Sequence, residues 1–153
     1  MPFDTTSIKR GIVAFWAIWT GIVFSTNVFD GLKAADVLGD GWSYASGNWG
    51  YMLDVTSVHD TPTVVVGVLF VGVLVWEFAA TVLFVRAYTA VDDIGDEAAG
   101  PNPVTVAFFI SLALWAAFML ASEIFVAYEA EATHRRIFTS QLLSLVALFC
   151  LPD

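Results

Sequence analysis

Four apolar segments, separated by polar stretches, organise the chain. They cover residues 11–28, 63–85, 104–127 and 136–151. A membrane-spanning helix needs roughly 20 mainly apolar residues, so the first three segments have the length of a span and the fourth is short. The fourth begins at Arg136, whose long side chain can reach the interface from inside the membrane. The pattern predicts an all-α fold in a single domain, residues 1–153: a four-helix transmembrane bundle.

A longer amphipathic loop joins the first two predicted helices. It carries four aromatic residues of the kind that lie at the lipid headgroup level. These are Trp42, Tyr44, Trp49 and Tyr51. We predict a short interfacial helix at residues 32–38 and turns in the Gly-, Ser- and Asn-rich part that follows it.

The composition strengthens the membrane assignment. Hydrophobic residues make up 58% of the chain and charged residues only 14%, with a mean hydropathy of +0.76. Soluble domains carry about 25% charged residues, so this chain could not cover a water-exposed surface. Fifteen acidic residues stand against six basic ones. Without a basic surface to neutralise phosphates, nucleic acid is excluded as a partner, and the lipid bilayer is the expected surrounding.

The orientation in the membrane is weakly determined by the basic residues. With the N-terminus inside, Lys9, Arg10 and Arg86 face the cytoplasm, and an equal number of basic residues face outward. The Lys-Arg pair directly precedes the first segment, which usually dominates insertion. We therefore expect a multi-pass protein of the plasma membrane with a cytoplasmic N-terminus.

Glu77 is the charged residue inside the second apolar segment. It lies about nine residues from the inner end of that segment, or roughly 13 Å at a rise of about 1.5 Å per residue. A carboxylate at such a depth costs several kcal/mol unless it is paired or protonated. Since the sequence places no Lys, Arg or His at this level, we predict an uncharged or proton-exchanging glutamate.

Polar residues at the same depth on the other helices are the expected partners of Glu77. The same count reaches Thr20 on the first helix, Ser111 on the third and Gln141 on the fourth, with Trp19 nearby. We predict that these five residues form an intramembrane polar site in which Glu77 bonds to Thr20, Gln141 or an indole N–H. Its role is open between a polar link between helices, a proton- or cation-binding site, and a contact with a partner subunit.

A second polar group is predicted at the outer end of the bundle. Its members are Asn27, Asp30, His59, Glu123, His134 and Arg135. Glu123 lies roughly 30 Å from the inner end of its helix, too far from Glu77 for a catalytic carboxylate pair. We interpret this outer-rim cluster as a cap in which Glu123 pairs with Arg135 or Arg136.

The alternative is a divalent-metal or solute site at the outer rim, with His59, His134 and Glu123 as weak candidate ligands beside Asp30. No HxxxH, HExxH or ExxH spacing supports it. A haem bound by both histidines is weaker still, because both lie at helix ends. Cys150 stands alone, so there is neither a disulfide framework nor a thiolate site. We expect no cofactor and, for want of a catalytic motif, no enzymatic activity.

Two stretches of the C-terminal third form a recognisable pattern: "LALWAAFMLASEIFVAY" and, after it, "IFTSQLLSLVALFCLPD". In the first, Trp115 and Phe118 lead to Glu123 and Phe125. This pattern resembles the bacterial and archaeal family described as predicted small integral membrane proteins, a domain of unknown function. Further matching positions are Asn27, Asp30, Thr56, Ser57, His59, Glu77 and the closing Leu151, Pro152 and Asp153. The resemblance implies four spans and brings no assigned reaction.

Two functions from different classes follow. In the first, the chain binds or conducts a proton or cation through its intramembrane carboxylate. In the second, it is a non-catalytic accessory or assembly subunit of a larger membrane complex, such as a respiratory one, or forms a homo-oligomer, with Glu77 contacting a partner helix. The position of the Glu77 side chain discriminates between them, because the first requires an internal cavity and the second a lipid-facing carboxyl.

Overall fold

The computed structural model describes residues 4–91 and 102–152, and this part of the chain is all-helical. A 3₁₀ turn, Ser57–His59, follows the second helix. The five α-helices are α1 (Thr5–Ala34), α2 (Asn48–Thr56), α3 (Thr63–Tyr88), α4 (Pro103–Ile124) and α5 (Tyr128–Cys150).

Three of these helices, α1, α3 and α4, are long and apolar enough to cross a membrane. Helices α1 and α3 contain the first two predicted spans, whereas α4 ends at Ile124, three residues before the end of the predicted span 104–127. Helix α5 covers the fourth predicted span, residues 136–151, except its last residue, but it is not among the three. Its first turns carry Glu129 and Glu131 and are followed by Arg135 and Arg136. These charges leave an apolar part shorter than the roughly 20 residues that a span requires.

The helix ends follow local capping rules. Asp4 precedes α1, and its Oδ1 accepts a hydrogen bond from the Ser7 backbone nitrogen at 2.7 Å. Asn102 caps α4 in the same way, accepting from Val104 at 2.8 Å, and Pro103 occupies the first helical position. Proline suits that position because its missing N–H would have had no partner within the helix.

The loop between α1 and α3 differs from its prediction. The predicted interfacial helix at residues 32–38 is wrong, because α1 continues to Ala34 and Asp36 then adopts a positive φ of 56°. The helix of this loop is α2, which lies where turns were predicted. Gly47 precedes it with a φ of 79°, a conformation that glycine adopts without steric cost.

Helices α1 and α3 pack antiparallel along most of their length. Phe24 lies against Phe78, with ring centroids 5.4 Å apart. Gly31 lies so close to Phe70 that an added Cβ would stand 3.0 Å from its ring. The small glycine therefore allows the two backbones to approach each other.

One end of the bundle is tightly packed. Nine buried apolar residues form its core: Val13, Trp16, Phe84, Ala87, Val91, Val104, Ala107, Phe108 and Leu148. They come from the start of α1, the end of α3 and the residues after it, the start of α4 and the end of α5. The Trp16 indole nitrogen donates to Ser144 Oγ at 3.0 Å and joins α1 to α5. We call this the closed end; α2 lies at the opposite end.

We expect Phe84→Ala to destabilise the bundle by roughly 2 kcal/mol. The Phe84 ring is fully buried and lies 5.0 Å, edge to face, from Phe108. In a membrane the cavity left behind carries most of the cost, at about 24 cal/mol per Å³. Thermal unfolding of the protein in detergent measures the effect. Val85→Ala, at a 57% exposed position, is the control, and equal losses for both variants would contradict the assignment of this core.

Candidate functional site

The carboxyl group of Glu77 is enclosed within the bundle. Its side chain on α3 is only 4% exposed. The Asn27 amide nitrogen on α1 donates to both carboxylate oxygens, at 2.7 Å to Oε1 and 2.9 Å to Oε2. Asn27 is itself 2% exposed. A neutral amide thus satisfies the hydrogen bonding of the acid without neutralising a negative charge on it.

The hydrogen bonding continues from Asn27 into α2. Asn48, the first residue of α2, donates from its amide nitrogen to Asn27 Oδ1 at 2.7 Å. Asp30, one turn along α1, accepts from the Trp49 backbone nitrogen at 2.6 Å and from Ser46 Oγ at 3.2 Å. A carboxylate that accepts a backbone N–H at a helix N-terminus stabilises that helix. The buried network therefore joins α3, α1 and the start of α2.

The predicted bonds from Glu77 to Thr20, to Gln141 or to an indole are wrong, because Glu77 bonds to Asn27. Thr20 donates instead to the Trp16 carbonyl of its own helix, at 2.8 Å. Counting residues from the predicted inner ends of the helices placed Thr20 at the depth of Glu77. In the structure Glu77 instead meets Asn27, which lies two helical turns further along α1. The predicted ends of the two helices were not at equal depth, because Phe24 lies against Phe78 and Gly31 against Phe70, which sets Glu77 beside a part of α1 beyond Thr20.

Four of the five predicted site residues nevertheless surround one small void. Trp19, Thr20, Glu77 and Ser111 line a space of about 10 Å³, the lower limit for one water molecule. The fifth, Gln141, is fully buried and donates to Ser111 Oγ at 2.7 Å. Glu77, Thr20 and Ser111 thus border one void, and Gln141 is linked to them through its bond to Ser111.

A much larger cavity lies on the other side of Glu77, with a volume of about 620 Å³. All five helices contribute to its wall. It runs from Trp19, Glu77 and Leu114 towards Thr56 and Phe125 near the ends of α2 and α4. Glu77 thus stands where the packed core gives way to the cavity. The volume falls within the range of about 300–1,000 Å³ that is typical of small-molecule pockets.

Aromatic side chains form much of the cavity wall. Trp115 is central: its ring lies 5.6 Å from Trp19 and 5.8 Å from His134. His134 stacks on Phe118, with centroids 5.0 Å apart. Two buried polar atoms of the described residues lack a hydrogen-bond partner, and one is the Trp115 indole nitrogen. A buried donor without an acceptor is uncommon in proteins, and here it belongs to a residue that lines a cavity.

The imidazole of His134 is held in its neutral form. Partial burial lowers the pKa of His134, and the Phe118 backbone and the Glu131 carboxylate offset part of that effect. The imidazole Nδ1 lies 3.2 Å from Ser122 Oγ on α4. At neutral pH this residue therefore adds an aromatic ring and no positive charge to the cavity wall.

The predicted outer-rim cluster is divided by the fold. Asn27 and Asp30 belong to the buried network, and His134 belongs to the cavity wall. His59 is exposed, and its Nε2 lies 2.8 Å from the Ile124 carbonyl oxygen. The predicted cap is wrong for Arg135, which pairs with Glu131 at 3.5 Å within α5, while Glu123 is exposed on α4. Glu131 and Arg135 lie one turn apart on α5, a spacing at which opposite charges meet on the same helix face.

The alternative of a metal site finds no support in the described parts of the chain. Within them, no three His, Cys, Asp or Glu side chains come together in a way that could hold a metal ion. The weak candidates His59, His134 and Glu123 lie near the end of α4 without converging: His59 Nε2 meets the Ile124 carbonyl oxygen and His134 Nδ1 meets Ser122 Oγ. A divalent site requires several converging ligands.

Several residues of the site were not predicted from the sequence. Asn48 and Ser46 lie in a stretch expected to form turns, and Trp76 was not considered a wall residue. A local signal existed for α2: Ser46 Oγ accepts from the Asn48 backbone nitrogen at 3.1 Å. Such a serine turn often precedes a helix. No local signal could have revealed that Asn48 reaches Asn27.

No protein-family model, curated protein or solved structure matches the chain. The resemblance of the C-terminal third to the predicted small integral membrane proteins therefore remains a prediction. The candidate site depends on geometry alone.

We expect Asn27→Ala to destabilise the protein by about 1–3 kcal/mol, because it leaves both Glu77 and Asn48 without their partner. Thermal unfolding in detergent measures the loss. Hydrogen exchange should also increase in α2, which the network anchors. Ser25→Ala on the same helix removes an exposed hydrogen bond to Tyr44 and should cost well under 1 kcal/mol. Unchanged exchange in α2 after Asn27→Ala would refute the anchoring role.

We expect the bundle to lose stability as the pH falls below about 6.5, in part through His134. The folded protein favours the neutral imidazole, so the unfolded chain binds more protons in that range. The contribution is complete at neutral pH and decreases as the pH falls towards the lowered pKa. His134→Phe keeps the stacking on Phe118 and should reduce the slope of melting temperature against pH. Parallel slopes for the two proteins would show that His134 is not involved.

Proposed function

We propose that this chain is a multi-pass protein of the plasma membrane that binds a proton or a cation at Glu77. The observation that carries the proposal is the position of this carboxyl group: 4% exposed, within the membrane-spanning helix α3, and in the wall of a cavity of about 620 Å³. An intramembrane acid of this kind is a candidate for ion binding by default, because its burial has a cost that a purely structural residue would avoid.

The hydrogen bonds of Glu77 support this function. Its partner Asn27 is a neutral amide, so a negative charge on Glu77 has to be balanced by a bound proton or cation. The amide nevertheless fixes the carboxyl in position through both oxygens. A carboxyl that is oriented but not neutralised is suited to reversible exchange of a positive charge.

The alternative, an accessory subunit with Glu77 contacting a partner helix, has less support. That function would place the carboxyl on the outer surface, whereas the outer surface of α3 is apolar. Its exposed residues include Val64, Val68, Val71, Val75, Phe78, Val82 and Val85. Such a face suits lipid chains, and Glu77 lies on the other side of the helix.

As part of the proposal, residues 136–151 of α5 form a fourth, short span. The buried Gln141 and Leu148 pack this segment against the other helices, and the bond from Trp16 to Ser144 fixes it beside α1. With an even number of spans both chain ends lie on one side, and the pair Lys9 and Arg10 favours the cytoplasm for that side.

We expect Glu77 to be protonated in the protein at neutral pH, because a charged carboxylate in this position costs several kcal/mol. Infrared difference spectroscopy across a pH titration measures this. The protonated-carboxyl stretch should be present at neutral pH and absent in Glu77→Gln. Glu123→Gln, which changes an exposed carboxylate on α4, is the matched control and should keep the band.

Two other results would contradict this expectation. If a carboxylate band persists at neutral pH and disappears only in Glu77→Gln, Glu77 is charged at neutral pH and the expected protonation is wrong. If Glu77→Gln leaves every pH-dependent band unchanged, Glu77 exchanges no proton.

A further inference from the structure

We propose that the cavity binds an apolar organic cation, such as a substituted ammonium or phosphonium compound, with Glu77 as its counter-ion. The inference rests on the proposed function, since both require a positive charge at Glu77. It adds the class of ligand. Four features of the described residues carry it: the cavity's volume, its aromatic wall, the sign of its charge and the acidic groups near its outer end.

The volume exceeds what a proton or a metal ion needs. A space of about 620 Å³ matches pockets that enclose drug-sized molecules. The described residues also contain no group of three side chains suited to a metal ion. A bare ion would therefore have few ligands to replace its hydration shell. An occupant that is mainly apolar and carries its charge on an organic centre has no such requirement.

The wall offers the aromatic faces that organic cations favour. Trp19, Trp76 and Trp115 all line the cavity, together with Tyr51 and Phe118. A cation over the face of a tryptophan gains about 0.5–2 kcal/mol, and aromatic cages are the usual means of recognising quaternary ammonium groups. Trp19 and Trp115, whose rings lie 5.6 Å apart, border Glu77 in the adjoining void. A charged centre near Glu77 would thus also meet these rings.

The sign of the charge selects a cation over an anion. Glu77 is the one carboxylate among the described lining residues, and no Lys or Arg lines the cavity. The remaining titratable groups of the wall are His134 and Tyr51. An anion would find no basic partner among the described lining residues, whereas a cation can replace the proton of Glu77, so this apolar space favours a cation.

Acidic residues near the outer end of the cavity also favour a cation over an anion. Burial raises the pKa of the Tyr51 phenol, and the charges of Glu129 and Asp54 raise it further. Asp54 lies between the lining residues Met52 and Val55 on α2, and Glu129 directly precedes the lining residue Ala130 on α5. Acidic groups at the mouth of a cleft raise the local concentration of cations and speed their association.

Tetraphenylphosphonium and tetraphenylborate provide the test, since they share a shape and differ in the sign of their charge. Binding to the full chain in a neutral detergent is measured by isothermal titration calorimetry, with empty micelles subtracted. We expect saturable binding of tetraphenylphosphonium and none of tetraphenylborate. Equal binding of both ions would overturn the proposal and identify an apolar pocket without charge selection. No saturable binding of tetraphenylphosphonium would overturn it as well.

Variants locate the charge that is recognised. Glu77→Gln should weaken tetraphenylphosphonium binding at least tenfold, because it removes the counter-ion and keeps the size of the side chain. Glu77→Asp keeps the charge and should retain part of the affinity. Glu123→Gln should bind as the wild type does. Circular dichroism verifies the fold of each variant, and undiminished binding by folded Glu77→Gln would overturn the proposal. The two probe ions test the wild type even if a variant does not fold.

Infrared spectroscopy separates this inference from the proposed function. Saturating tetraphenylphosphonium should abolish the protonated-carboxyl band of Glu77, because the ligand's charge replaces the proton. If Glu77 exchanges a proton but tetraphenylphosphonium does not bind, only the present inference fails. If the Glu77 band is absent throughout, the proposed function fails with it.

Discussion

The hydrogen bond between Asn27 and Glu77 is the contact on which the rest of this structure depends. It joins α1 to α3 in the interior, where a charged or polar group without a partner would be costly. The bond from Asn48 to the same amide then fixes the start of α2. The Asn27 side chain thus determines which part of α1 faces Glu77 and where α2 packs. Because these partners are buried, the network adds to apolar packing in specifying the register of the helices.

The bundle combines a packed end with an opened end. At the closed end, Trp16 and Phe84 belong to a core formed by four helices, and α1 meets α5 directly. Towards α2 the α1–α3 pair and the α4–α5 pair separate, and the cavity fills the space between them. Glu77 lies at the boundary between the two regions. Among the described residues, no Lys or Arg lines the cavity and could neutralise it, which is why the carboxyl is the chemically distinctive feature of the cavity.

Much of the site involves residues whose roles are not local. Glu77 is conspicuous in the sequence because a charge inside an apolar segment needs an explanation. Its partner could not be deduced by counting depths, since an error of two turns in the relative position of two helices exchanges Thr20 for Asn27. The prediction of the outer-rim cluster was wrong for a similar reason. Residues at the same end of a bundle need not meet, and Arg135 found Glu131 on its own helix instead of Glu123.

The sequence by itself determined the helical class, the position of the three apolar spans and the presence of an intramembrane acid. Composition and periodicity over some twenty residues are sufficient for these properties, because the bilayer imposes them on each segment separately. Only the tertiary structure decided the partner of Glu77, the existence of α2 and the cavity between the helix pairs. These depend on contacts between residues far apart in the chain, such as Asn27, Asn48 and Glu77. Their meeting is set by the mutual register of whole helices, which no local pattern encodes.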